Sequence, residues 1–182
     1  MVTEGDAGMT LGDIVTDNAR RFPDVPAYRL GERVVTHQAL RELAVRLVSA
    51  MVGAGVRRQD RVAVLGRNSI EFGEVLAATQ LSGIIMATIN FRMSRREVRD
   101  ALQRVTPSIV FCDDEFAPMI NELASDLPGL PLLVSLAMPV LGYGIGTPGG
   151  VAGVWGGVKH TSGNAQIDLP AAALHETSLP FA

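Results

Sequence analysis

Residues 61–90 read RVAVLGRNSIEFGEVLAATQLSGIIMATIN, and this stretch decides the fold. Arg61 to Leu65 and Ile84 to Ile89 are short, nearly uninterrupted apolar runs, the pattern of strands buried on both faces. Between them Phe72, Val75, Leu76 and Thr79 recur at helical spacing. Asn68 with Glu71 forms a capping-box-like opening, and Gly83 stands where a helix closes on a left-handed residue. Strand, helix and strand within about 30 residues make a parallel crossover unit, since parallel strands need a long connection over one face of the sheet.

The same alternation continues on both sides. Downstream, Ser94 and Glu97 form an S-x-x-E capping box, and Val98, Ala101, Leu102 and Val105 supply a buried stripe. Ser108 to Cys112 reads as a strand. Asp114 then caps a helix carrying Phe116, Ile120, Leu123 and Leu127, with Pro118 in its first turn, and Leu132 to Leu136 is a last short strand. Upstream, Thr10 is an N-cap with Asp13 at the third helical position. Leu11, Ile14, Val15, Asn18 and Phe22 follow as a mostly apolar stripe that Pro23 ends. Ala27 to Leu30 and Arg33 to Val35 flank Gly31-Glu32 as a small hairpin. Thr36 caps a helix burying Leu40, Leu43, Ala44, Leu47, Val48 and Met51, with Gly53 and Gly55 to close it. The pattern predicts an α/β fold: a doubly wound, mostly parallel sheet with helices on both faces.

Past Leu136 the character changes. Of 35 charged residues only Lys159, Asp168 and Glu176 lie beyond it, whereas 9 of the 19 glycines do. The expected organisation is therefore an α/β unit over residues 10–136 and a Gly-rich, poorly ordered or aberrant tail over 137–182, read either as a real Gly-rich connector or, preferably, as the ending that a premature stop or shifted reading frame would produce.

Composition narrows the function. A chain of 182 residues with net charge −3 holds one ordinary domain, and its arginine pairs, Arg20-Arg21, Arg57-Arg58 and Arg95-Arg96, are scattered rather than gathered into a nucleic-acid footprint. The single Cys112 excludes an internal disulfide and a thiolate metal cluster, which fits a reducing cytoplasmic setting. Met1 to Thr10 has neither a basic start nor an apolar run, so no secretory signal is expected. Pro128 to Val158 carries no charge, but Pro131, Pro139, Pro148 and many glycines oppose a membrane-spanning helix.

Several short runs are collinear with one family. Phe22-Pro23-Asp24-Val25-Pro26-Ala27 resembles the opening of AMP-forming acyl-CoA synthetases, and Val35-Thr36-His37-Gln38-Ala39-Leu40 resembles their "T-Y-x-E-L" helix start. Gly55-Val56 with Asp60-Arg61-Val62-Ala63-Val64 resembles "G-V-x-x-G-D-R-V-A-x", and Asn68-Ser69, Glu71-Phe72 and Leu76-Ala77-Ala78 fit the helix that follows. The run from Leu81 to Ser94 is similar to "x-x-G-A-V-x-x-P-L-N-x-R-L-T". His37, Ala39 and Thr88 depart from the usual Tyr, Glu and Pro. The style is that of a bacterial fatty-acid–CoA ligase, matched over its amino-terminal part.

That resemblance implies a reaction in two steps. A fatty acid reacts with ATP and Mg²⁺ to give acyl adenylate and pyrophosphate, and CoA then displaces AMP. The chemistry requires a glycine-rich phosphate loop, an acid for the ribose and a lysine, all of which the resemblance places downstream of the matched region. His160-Thr161-Ser162-Gly163-Asn164-Ala165-Gln166-Ile167 shares only Thr-Ser-Gly with the family's "Y-T-S-G-T-T-G-x-P-K-G". No catalytic, cofactor-binding or metal-binding residue is therefore assigned, and the chain is expected to lack activity alone. ATP, Mg²⁺, CoA and fatty acid belong to the complete enzyme. A lone subdomain would also expose surface meant for the remainder, which points to self-association or to binding of a partner.

The main rival is a non-catalytic α/β module that binds a protein or a dinucleotide. Gly144-Ile145-Gly146-Thr147-Pro148-Gly149 satisfies G-x-G-x-x-G, with Asp168 downstream, but the following Val151 to Gly157 has poor helix propensity. Asp113-Asp114 ends a strand, where open sheets place ligands, although helix capping is the simpler role for Asp114. His37, His160 and His175 lack metal-ligand spacing, and no G-x-S-x-G elbow exists. Arg92 after Asn90 could border a ligand cleft in a complete enzyme, or be an ordinary surface arginine.

Overall fold

A computed structural model of the chain describes residues 8–127 and 131–136. The first helix, α1 (Leu11–Arg21), opens on a reciprocal cap: the Thr10 hydroxyl accepts from the Asp13 N–H, and the Asp13 carboxylate accepts from the Thr10 N–H. β1 (Pro26–Leu30) and β2 (Arg33–Thr36) pair antiparallel as a separate hairpin, turned at Gly31 with φ +58°. Thr36 caps α2 (His37–Gly53), after which Gly55 takes φ +90°.

The crossover unit follows as β3 (Arg61–Leu65), α3 (Ile70–Ser82) and β4 (Ile85–Ile89). Then come α4 (Arg95–Val105), β5 (Ile109–Cys112), α5 (Ala117–Ala124) and β6 (Leu132–Ser135). The four later strands form one sheet in the order β4-β3-β5-β6, every pair parallel.

Strand alternation divides the core between two faces. Val62, Val64, Ile109 and Phe111 point to one face, where they meet Leu40, Val48, Met51, Val75 and Ala78 of α2 and α3. Ala63, Leu65, Val110 and Cys112 point to the other and meet Val98, Leu102, Ile120 and Leu123 of α4 and α5. The doubly wound architecture expected from the sequence is thus present.

Strand ends shift by a residue, with β1 starting at Pro26, β2 reaching Thr36, β5 starting at Ile109 and β6 ending at Ser135, and other local details differ as well. The side chain that caps α3 is Ser69, which accepts from the Phe72 N–H at 3.1 Å; Asn68 is exposed and Glu71 turns inward instead. Asp114 does not cap α5 with its side chain, which accepts from the Ser135 hydroxyl, and α5 starts after Phe116 with no side-chain cap. β4 begins at Ile85 rather than Ile84. Val15 of the first stripe packs against the core, but Leu11, Ile14 and Phe22 are exposed, and α1 rests on α3 through its Gly12 side, with Ala19 buried.

The reason for the last difference is steric. A Cβ on Gly12 would stand 2.7 Å from the Gln80 carbonyl oxygen, so the backbones of α1 and α3 approach as closely as glycine permits. Close backbone approach outweighed burial of the bulkier side chains.

α3 is buried almost all round, because α2, α1 and the hairpin cover the sides that the sheet leaves free. Gly73 receives the Tyr28 ring, which would come within 2.6 Å of a Cβ there. The Arg33 guanidinium donates to the buried Glu71 carboxylate at 2.6 Å and fastens the hairpin to the helix. Glu74, one turn on, is buried as well.

Candidate site at the carboxyl edge of the sheet

In a parallel sheet every strand ends on the same edge, so the loops after β3, β4, β5 and β6 gather there. The chain passes from β3 to β4 on one side and then returns past β3 to β5. Connections leave β3 and β5 in opposite directions, which opens the crevice where doubly wound folds place ligands. Gly66 to Ser69, Asn90 to Met93, Asp113 to Glu115 and Ser135 stand at this edge.

These side chains satisfy one another. One Asp113 carboxylate oxygen accepts from the Arg67 N–H at 2.8 Å. A Cβ on Gly66 would lie only 3.0 Å from that carboxylate, so glycine lets the acid sit against the end of β3. Arg67 donates through Nε to Glu115 at 2.9 Å, and this bond raises the guanidinium pKa above its ordinary value, with the charge of Glu115 the next cause. The Arg67 guanidinium also lies 4.8 Å from the centre of the Phe91 ring, and that of Arg92 lies 5.2 Å from it. The Asn90 side chain accepts from the Arg92 N–H at 2.9 Å, fixing the turn into α4. Ser135 donates to Asp114 and ties β6 to the loop after β5.

These bonds tie the loops at the edge to one another. The place nearest the strand ends that a phosphate would enter is held by the Asp113 carboxylate, which would repel it. Among the described residues there is no lysine, since Lys159 lies outside them, and no group of three or more His, Cys, Asp or Glu arranged to hold a metal ion. The described residues therefore do not fit ATP and Mg²⁺ as a bound pair. His37 sits at the start of α2. Cys112 is buried, and its thiol is pushed up to about 12, by burial first and then by the charges of Asp113 and Asp114.

Asp113, Asp114 and Arg92 stand out in the sequence, but their partners do not. Arg67 reaches Glu115 across 48 positions, and the Phe91 ring joins two loops; neither has a spacing signal. The Gly144 to Gly149 motif, Asp168, His160, His175 and the Thr161-Ser162-Gly163 run lie outside the described residues. No described helix is long and apolar enough to cross a membrane.

Comparison with known proteins identifies the lineage. Residues 15–142 match the AMP-binding enzyme family. A fatty acid–[acyl-carrier-protein] ligase of Streptomyces coeruleorubidus is 30% identical over 119 residues, 65% of this chain and 23% of that protein. An indoleacetate–CoA ligase of Aromatoleum aromaticum is 30% identical over 131 residues, 72% of this chain and 26% of that protein. The chain thus spans about a quarter of the length of these relatives. Among solved structures, a long-chain-fatty-acid CoA ligase from Rhodopseudomonas palustris superposes with TM-score 0.70 at 28% identity, over 73% of this chain and 34% of the other. The chain belongs to the AMP-binding enzyme family, whose acyl-CoA ligases share its sequence and its amino-terminal fold.

Proposed function

We propose that residues 10–136 are the amino-terminal α/β subdomain of an acyl-activating ligase, and that these 182 residues alone complete neither half of its reaction. The complete enzyme would join a fatty acid to AMP at the expense of ATP, with Mg²⁺, and then transfer the acyl group to CoA. The observation that carries this reading is the family match over residues 15–142, together with a carboxyl edge where Asp113 holds the Arg67 N–H and Arg67 pairs with Glu115. The subdomain's part is mechanical: it offers a rigid sheet edge, held by Arg67, Asp113 and Glu115. Residues 137–182 are assigned to a separate segment, on their loss of charge and periodicity. A cytoplasmic location is part of the proposal, in keeping with the single, buried Cys112.

The test is direct. Purified chain is incubated with ATP, Mg²⁺, CoA and either a series of fatty acids or indoleacetate, and pyrophosphate and acyl-CoA are measured. Neither product is expected above background, and sustained turnover with any of these acids would overturn the assignment of inactivity. Titration with NAD checks the rival reading of Gly144 to Gly149; tight binding would establish that rival instead.

A further inference from the structure

Apart from any enzymatic role, we infer that the edge at which the parallel strands begin is a basic dock for the chain's own residues 1–7, held there through Glu4 and Asp6. The fold gathers at this edge arginines that are spread along the sequence. Arg57 and Arg58 lie in the loop before β3, Arg61 opens that strand, and Arg104 stands in the last turn of α4, which ends at the same edge. All four are exposed, and none takes part in an ion pair among the described residues. Arg61 donates to the Val105 carbonyl and to the Thr106 hydroxyl, so its charge meets no carboxylate. The Asp60 carboxylate accepts from the Arg57 N–H at 2.8 Å and belongs to the turn itself. Asp126 lies two strands away from β3, in the loop before β6. At the opposite edge, by contrast, Arg67 and Arg95 each have a carboxylate partner.

Reach and charge select the occupant. α3 ends at this edge, and its last residues touch both partners. A Cβ on Gly12 would lie 3.3 Å from the Leu81 Cα, and a Cβ on Gly83 would lie 3.1 Å from the Arg58 Nε. Leu81 and Gly83 are almost adjacent in the chain, so the Gly12 Cα and the Arg58 Nε are no more than about 17 Å apart. The stretch from Glu4 to Gly12 spans up to about 26 Å when extended. The segment therefore leaves α1 beside the basic edge and is long enough to cross to it. Residues 1–9 carry Glu4 and Asp6 and no basic side chain, which complements arginines that have no acid of their own. The other arginines outside the ion pairs, Arg29, Arg41, Arg46 and Arg92, belong to the hairpin, to α2 and to the opposite edge. Exposed pairs of this kind contribute at most about 1 kcal/mol each and are screened by salt, over a Debye length of about 3 Å at 1 M. The segment is thus held weakly, docked at low ionic strength and released at high.

A nitroxide spin label on the full chain reads the docking directly. Thr3→Cys supplies the attachment point, since the one native thiol, Cys112, is buried. At low salt the electron paramagnetic resonance spectrum should be dominated by an immobilised component. Salt at about 1 M should remove it, and so should Arg57→Glu/Arg58→Glu, with the circular dichroism spectrum unchanged. Arg61 is left in place because it ties β3 to the end of α4. Glu4→Arg/Asp6→Arg, which leaves the folded body untouched, should free the label as well, and combining the two double changes should restore the immobilised component. A label that is mobile in the parent at low salt overturns the inference. So does an immobilised label that persists in Arg57→Glu/Arg58→Glu, since the segment then rests elsewhere. Failure of the combined variant to recover immobilisation overturns the pairing of Glu4 and Asp6 with these arginines. Immobilisation that disappears on dilution would place the segment on a second copy and overturn docking within one chain. Binding of the parent to phosphatidylglycerol vesicles, lost in Arg57→Glu/Arg58→Glu and with the label mobile in their absence, would assign the edge to an anionic lipid surface instead.

Discussion

Gly12 and Gly73 show how much a single missing methyl group arranges here. In an exposed helix, glycine to alanine ordinarily gains up to about 1 kcal/mol. At Gly12 the new Cβ would meet the backbone oxygen of Gln80 at 2.7 Å, and backbone cannot swing aside. Gly12→Ala should therefore lose stability, by roughly 1–3 kcal/mol, as α1 is levered from α3. Urea unfolding decides the sign, and a gain would refute the close packing. Arg33 is the second such residue. Removing it leaves the Glu71 carboxylate buried without its cation, beside the buried Glu74. Arg33→Ala should cost roughly 1–3 kcal/mol, and Arg33→Ala/Glu71→Ala should cost less than the two single changes added together. Thermal unfolding of the three variants provides the comparison.

Among the helices, α1 and α4 carry reciprocal capping boxes, Thr10 with Asp13 and Ser94 with Glu97. Ser94→Ala should cost about 1 kcal/mol by leaving the Glu97 N–H without its acceptor. Both carboxylates are held below their ordinary values, chiefly by the cap's backbone N–H and then by its hydroxyl. A carboxylate whose folded pKa is lowered binds fewer protons in the folded chain than in the unfolded one. Its stabilisation is then complete above the ordinary values of 3.8 and 4.5 and is lost as pH falls below them. The urea midpoint should accordingly fall on acidification, and Glu97→Gln should shallow that fall, since the amide oxygen keeps an acceptor without titrating. An unchanged slope in Glu97→Gln would remove Glu97 from the account.

At the scale of the whole molecule, one sheet separates two apolar layers, and neighbouring residues of β5 belong to different ones: Phe111 faces α2 and α3, Cys112 faces α4 and α5. Neither layer has a sheet without the other, so the unit should unfold as one. Cys112 reports on this. Buried, with its thiol pushed up to about 12, it is neither accessible nor ionised near neutral pH. Labelling by a thiol reagent at pH near 8 should be negligible in native conditions and should rise with urea along the same curve as the loss of helix signal. Labelling that runs ahead of that curve would mean that the α4 and α5 layer opens separately.

The division between what sequence decides and what tertiary structure decides follows from the range of the forces. Local periodicity, caps and turns act over three or four residues, so the order of elements, the Thr10, Thr36 and Ser94 caps, Gly83 at the end of α3 and the two-sided sheet were all legible in the chain. Which face of α1 would be buried was not legible, since that depended on how closely Gly12 could approach Gln80, a contact 68 positions away. The same is true of Glu71, whose partner Arg33 is 38 positions back, and of Arg67 at the sheet edge, paired with Glu115. The sequence by itself determined an α/β unit with the family's amino-terminal pattern. The tertiary structure alone decided that Arg67 pairs with Glu115 at its carboxyl edge and that Leu11, Ile14 and Phe22 face outward, because long-range packing sets the register between elements after each has formed.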